Sequence, residues 1–190
     1  MQDLLRVVWM GALLPLLLSA CALGRPAPAP ALFDLGPLPP PADGRAAVEV
    51  QLQQLTAPSW LAGSGIAYRL DYQDAFRREI YRDSRWVAPP AALLSERLRQ
   101  RAAQAGQGAT RTLGLRLELE EFVQIFATPT QSRVSLRLRS WRGEEQGQGQ
   151  LRVFELSRPA PSADAAGAVQ GLSQLSDELI DQVLAWAAQP

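Results

Sequence analysis

The 190-residue sequence carries 19 basic and 19 acidic residues, all of the basic ones Arg, and contains no His, Lys or Asn. A balanced charge leaves no electrostatic footprint for nucleic acid, and the absence of His removes the one side chain that titrates near neutral pH unperturbed. A single Cys excludes an intrachain disulfide and any His- or Cys-based metal centre; only oxygen-ligand sites remain, and no Asp-rich calcium loop is visible.

The chain opens with Arg6 ahead of an apolar run from Val7 to Leu18, interrupted by Pro15 and followed by Ser19, Ala20 and Cys21. Such a run is shorter than the roughly 20 residues a bilayer span requires, and the small residues before the cysteine have the form of a bacterial lipobox. Residues 1–20 therefore read as a cleaved lipoprotein signal peptide. Cys21 is the lipidation site, its sulfur carrying diacylglycerol and its amine an acyl chain after cleavage. No other cofactor is expected. Ala22 stands where Asp would retain a lipoprotein in the inner membrane, so in a diderm host the expected location is the periplasmic face of the outer membrane. About 170 residues remain, enough for one domain with its own core.

Residues 21–31 form the lipidated Cys and a Pro-rich tether. Its alternating Pro26, Pro28 and Pro30 favour an extended polyproline-like path; a disordered spacer is the alternative, and both leave the body hanging from the membrane. The body spans 32–190. Leu32–Leu35 offers a short strand, closed by Gly36-Pro37 and Pro39–Pro41, and a linker follows to Arg45. Val48, Val50 and Leu52 alternate as a half-buried strand. Ile66, Tyr68, Leu70 and Tyr72 alternate again, with Phe76–Tyr81 as hairpin partner across a turn at Gln73–Ala75. After Pro89-Pro90 the spacing of Leu94, Leu98, Ala102 and Ala105 predicts a helix ending before Gly106. Its Glu96, Arg97, Arg99, Gln100 and Arg101 read as a solvated face.

Leu113, Leu115, Leu117 and Leu119 form the clearest strand. Glu121 falls where the next apolar residue is due, which predicts either a bulge or a second edge segment at Phe122–Phe126. Val134, Leu136 and Leu138 make the next strand, and a polar stretch from Arg142 to Gln150 leads into Leu151–Leu156, completing an antiparallel meander. Val169, Leu172, Leu175, Leu179, Val183 and Trp186 predict an amphipathic closing helix, with Asp177, Glu178, Asp181 and Gln182 mainly off its apolar stripe and read as solubilising groups. The fold class is α/β: a single-domain sandwich in which a mixed, largely antiparallel sheet is covered by two main helices.

The stretch from Val50 to Arg69, which includes Ala57-Pro58-Ser59-Trp60-Leu61 and Gly63-Ser64-Gly65-Ile66-Ala67-Tyr68, resembles the ABC-type transport auxiliary lipoprotein family, which includes the paraquat-inducible protein C type. Phe33-Asp34-Leu35 and Arg85-Trp86-Val87-Ala88-Pro89-Pro90, entering a Leu-rich helix, extend the resemblance over about residues 32–187. It implies a component of an intermembrane lipid transport system, partnered by a mammalian-cell-entry (MCE) domain protein with its ABC permease and ATPase. On that model the chain hydrolyses no ATP, having no Lys and no phosphate loop. Trp60, Tyr68 and Trp86 read as core or rim packing. Contact of Trp60, Leu61, Tyr68 and Trp86 with a partner, or with another subunit of a homo-oligomer, is the other reading. The leading expectation is a non-enzymatic outer-membrane lipoprotein that docks the periplasmic MCE assembly. A stand-alone periplasmic lipid-binding module or envelope-assembly lipoprotein is the alternative. A hydrolase comes third, since no catalytic triad context is recognisable.

Overall fold

A computed structural model describes residues 28–40, 48–106, 111–143 and 149–189. Cys21, the apolar run before it, most of the tether and much of the two linkers lie outside the described residues. The elements run in the order β1 (Ala31–Phe33), β2 (Val48–Thr56), β3 (Gly65–Leu70), β4 (Arg78–Trp86), α1 (Pro90–Ala105), β5 (Arg111–Thr128), β6 (Gln131–Arg142), β7 (Gln150–Pro159) and α2 (Ala165–Ala187). Both expected helices are present, and the seven strands form one mixed sheet in the order β1-β4-β3-β5-β6-β7, with β2 also on β5. No described helix is long and apolar enough to cross a membrane.

The 18-residue β5 organises the sheet. One side pairs along its length with antiparallel β6. The other takes two parallel strands end to end, β2 against Arg111–Glu118 and β3 against Gln124–Phe126. The meander of β5, β6 and β7 and the β3–β4 hairpin are antiparallel, as their alternation implies. The parallel pairings of β1 with β4, β2 with β5 and β3 with β5 join strands distant in sequence, and alternation carries no information about such partners.

The register of β5 against β6 shifts between Leu119 and Glu121, leaving Glu120 as the extra residue of the expected bulge. Before it Leu115, Leu117 and Leu119 enter the core; after it Phe122 does. One inserted residue exchanges the two faces of a strand, which reconciles the odd-numbered leucines with the even-numbered aromatic. Val123 and Ile125 then join Ala67 in a small separate cluster.

The hairpin departs from the expected one. Phe76 is 98% exposed and β4 begins only at Arg78. The turn is longer because the Gln73 and Asp74 amides both donate to Leu70 O, each at 2.9 Å, and the Asp74 carboxylate accepts from Phe76 N–H at 2.9 Å. Asp side chains close turns in this way, and here the closure displaces Phe76 from the strand.

Both helices pack on one face of the sheet. Leu94 and Leu98 of α1 and Leu172, Leu175, Leu179, Ile180 and Val183 of α2 meet Leu117, Phe122, Leu136 and Leu138 in the main core. Each such side chain, fully buried, contributes roughly 1.5–3 kcal/mol. The α2 ends are fixed individually. Asp164 accepts from Gly167 N at 2.8 Å at the N-cap, and Arg142 Nη1 donates to Trp186 O at 2.7 Å and Gln189 O at 2.6 Å at the far end.

Gly167 is required by the approach of the preceding loop: a Cβ there would lie 2.0 Å from Ser162 O. Gly167→Ala is therefore expected to destabilise the protein by roughly 2 kcal/mol, overpacking outweighing the gain of up to about 1 kcal/mol in helix propensity. Urea denaturation measures the difference, and a variant at least as stable as the parent contradicts the contact.

Candidate functional site

The site is built where the chain coming from Cys21 enters the body. β1 lies along β4 in parallel register, Ala31 with Ser84, Leu32 with Arg85 and Phe33 with Trp86. The strap that follows, Asp34 to Pro39, crosses toward the two helices. Asp34 accepts from Gly36 N at 2.7 Å, which tightens the turn at Gly36, whose φ is +72°.

Two arginines of α1 hold this strap. Arg97 and Arg101 are 4% and 3% exposed, and a charged side chain at that depth needs both hydrogen-bond acceptors and a counter-ion. Arg97 Nη2 donates to Leu35 O and, at 2.8 Å, to Gly36 O; Arg101 Nη1 donates to Pro39 O at 2.9 Å. The counter-ions come from α2. Arg97 Nε lies 3.4 Å from Asp177 Oδ1, and Arg101 Nε lies 2.9 Å from Asp181 Oδ1, with Nη2 donating to Asp181 Oδ2 at 3.4 Å. Arg101 Nε and Asp177 Oδ1 have no aligned hydrogen bond, so those contacts are ionic. The assembly is a two-rung ladder between helices, with three strap carbonyls on its outer side.

Burial pushes the Asp177 carboxyl above its ordinary range, Arg97 and Arg101 offsetting part of the rise and Asp181 adding to it. Asp181 is raised for the same first reason, with Arg101 opposing. A carboxyl whose folded pKa is raised contributes most to stability while protonated. That contribution is lost as pH rises from the ordinary carboxylate range through the raised value. For both carboxyls burial outweighs the attraction of the arginines, and the ladder's evident structural effect is to fix the position of the strap.

The expected solvated face of α1 is corrected here: Glu96 and Arg99 are exposed, but Arg97 and Arg101 are not. Likewise Asp177 and Asp181 serve as counter-ions rather than as solubilising charges. The signal was present in the spacing. Arg97 and Arg101 flank Leu98 four residues apart, and Asp177 and Asp181 repeat that interval on the other helix, so two helices covering one sheet present matching rungs.

The four residues singled out as possible contacts separate into different environments. Trp86 is 1% exposed against Phe122, ring centroids 5.5 Å apart, and Leu61 is 3% exposed; both are core residues and offer a partner no surface. Tyr68 is half-buried, 4.6 Å from the Tyr81 ring and 6.0 Å from Phe126. Behind it the Tyr81 hydroxyl donates to Gln124 Oε1 at 2.7 Å, and Gln124 Nε2 donates to Ser132 Oγ and Ser162 O. Burial pushes the Tyr81 phenol well above its usual range, with Asp164 and Tyr68 adding to the rise. This network ties β4, β5, β6 and the loop before α2 together. Trp60 is 39% exposed, with the Arg78 guanidinium 3.8 Å from its ring centroid. Arg78 also lies 3.7 Å from Glu121, which is 3.8 Å from Arg69. Trp60 therefore caps a charge network on the sheet face away from the helices. Among the described residues no acidic group of three or more is placed to hold a metal ion. Cys21 lies outside the described residues.

A family model described as the ABC-type transport auxiliary lipoprotein component matches residues 32–184. No curated protein matches the chain. The crystal structure of protein XCC0632 from Xanthomonas campestris, of the DUF330 family, superposes with a TM-score of 0.67 at 14% identity, over 85% of this chain and 92% of that one. A second crystal structure, of an uncharacterized protein, gives 0.63 at 15% identity over 84% and 99%. At these identities the likeness concerns the fold.

Arg97→Leu removes the cation in contact with Asp177, leaving only the more distant charge of Arg101, and is expected to destabilise the protein by roughly 3 kcal/mol, the low end for a broken buried pair because Asp177 keeps some solvent access. The Arg97→Leu/Asp177→Leu double variant is expected to return to within about 1 kcal/mol of the parent. Urea midpoints give the cycle, and a single variant as stable as the parent contradicts the ladder.

Proposed function

The chain belongs to the ABC-type transport auxiliary lipoprotein family, and from that premise we propose that it is a non-enzymatic membrane anchor and docking subunit. It holds the periplasmic MCE-domain assembly of an ABC-type lipid transport system at the outer membrane. The observation that carries this reading is the Arg97/Arg101 ladder. A body that commits two buried cations to the first residues after a lipid tether is organised to bear its attachment at one fixed point.

Attachment is the task of Cys21, through its diacylglycerol thioether and N-acyl chain. Ala22 behind it supports outer-membrane delivery. The sequence has no His to serve as a general base, and its one thiol is used by the lipid. The partners are an MCE-domain protein and, through it, the ABC permease and ATPase. Of the four residues first considered for contact, Trp60 keeps accessible aromatic area, with the Arg78 guanidinium over its ring. A preorganised aromatic beside a charge network is the kind of group that dominates an interface.

Two outcomes are expected. Cys21→Ser releases the protein from the outer-membrane fraction while the body stays folded; persistent outer-membrane fractionation contradicts the anchor. Trp60→Ala, with an unchanged thermal midpoint, lowers crosslinked recovery of the MCE-domain protein at least tenfold, corresponding to loss of an interface anchor worth about 1.4 kcal/mol or more. Undiminished recovery removes Trp60 from the interface, and failure of the parent protein to recover any MCE-domain protein contradicts the docking role.

A further inference from the structure

The turn between β3 and β4 presents the most exposed aromatic side chain among the described residues. Phe76 is 98% exposed and Tyr72, on the same turn, is 41% exposed. An exposed Phe on a floppy loop would carry little meaning. Here the turn is built, with paired amides on Leu70 O, Asp74 accepting from Phe76 N–H, and Arg77 N–H donating to Asp74 O at 3.3 Å.

The sheet topology sets where this tip points. Leu32 of β1 and Gly65 of β3 both pair with Arg85, so they lie level across β4. β1 is parallel to β4 and β3 is antiparallel to it. Following the chain backward from Leu32 toward Cys21 therefore leads in the direction in which β3 runs forward from Gly65 to Leu70 and the tip. The membrane-anchored end of the chain leaves the body on the side that carries Phe76 and Tyr72. Leu151 and Val153, another exposed apolar pair, sit at the opposite end of the sheet, where Leu151 pairs with Trp141.

The lengths agree with this. From Gly65 to Leu70 the strand advances about 17 Å at roughly 3.4 Å per residue. On a polyproline-like path the eleven residues from Cys21 to Leu32 would reach about 34 Å at roughly 3.1 Å each. The tip therefore meets the plane of the anchoring membrane before the tether is fully extended.

We infer that the β3–β4 turn is a second membrane contact, in which Phe76 and Tyr72 enter the headgroup boundary of the phospholipid leaflet that holds Cys21. The inference rests on the anchoring part of the proposed function and not on the MCE partner. Aromatic side chains suit that boundary, Tyr with its hydroxyl toward water. The contact is apolar rather than electrostatic, because Arg77 pairs with Glu79 and Arg82 with Asp83, leaving no basic patch beside the tip. A lipid-modified cysteine already retains the protein, so the tip adds orientation: two contacts remove the freedom to swing about a single tether.

The test uses the full-length lipidated protein on vesicles of phosphatidylethanolamine and phosphatidylglycerol. A nitroxide is placed through Ala75→Cys, which keeps Phe76, or through Gln150→Cys at the far end of the sheet. Flotation is read first and reports the anchor alone. In the floated protein the label at 75 is expected to be at least fivefold less accessible to a water-soluble relaxation agent than the label at 150, and Phe76→Ser is expected to abolish the difference. Equal accessibility at both positions in floated protein overturns the inference while leaving the anchor intact. Shielding that survives Phe76→Ser, or that appears only after an MCE-domain protein is added, also overturns it, the latter in favour of a protein contact.

Discussion

Two guanidinium groups inside the body set the terms for everything around them. Arg97 and Arg101 cannot be hydrated at 4% and 3% exposure, so their acceptors must come from the protein. The aspartates of α2 supply charge, and the carbonyls of Leu35, Gly36 and Pro39 supply the remaining acceptors. Removing the strap would leave both cations short of acceptors, and so its place beside the helices follows from the cost of burying charge. The strap is also the first part of the body after the tether. A local electrostatic requirement in the helical layer thus fixes where the chain enters the body.

The sheet carries that relation outward. β5 is long enough to take β2 and β3 end to end on one side, and the bulge at Glu120 keeps both halves of it facing the helices. With β1 docked on β4, the incoming chain and the β3–β4 turn share one end of the sheet. The charge network of Trp60, Arg78, Glu121 and Arg69 occupies the face away from the helices. The strap, the β3–β4 turn and the Trp60 charge network thereby occupy separate surfaces of one small α/β domain.

The strands of the meander, the bulge and both helices were legible because each depends on local periodicity, and the leucines of β5 alternate plainly up to Glu121. What periodicity does not encode is which distant strand lies beside which; the parallel pairs β1–β4, β2–β5 and β3–β5 depend on that alone. The hairpin was half legible. Its strands alternate, but Phe76 belongs to the turn because Asp74 takes its amide. At the site, Trp86 and Leu61 carry motif positions of the family resemblance and yet lie in the core. The arginines that hold the strap looked like ordinary surface charge. A single helix shows only that Arg97 and Arg101 flank an apolar stripe; the need for them appears once α2 brings Asp177 and Asp181 opposite.

The residues after the tether are part of the rigid body. Backbone ¹⁵N relaxation at Asp34, Leu35, Gly36 and Leu38 reports whether they move with it. Order parameters near 0.85, equal to those of β5 and falling when Arg97 and Arg101 are both replaced by Leu, are the expected result. Values below about 0.6 in the unaltered protein, with α1 and α2 rigid, would mean that the strap moves free of the ladder and would contradict the claim.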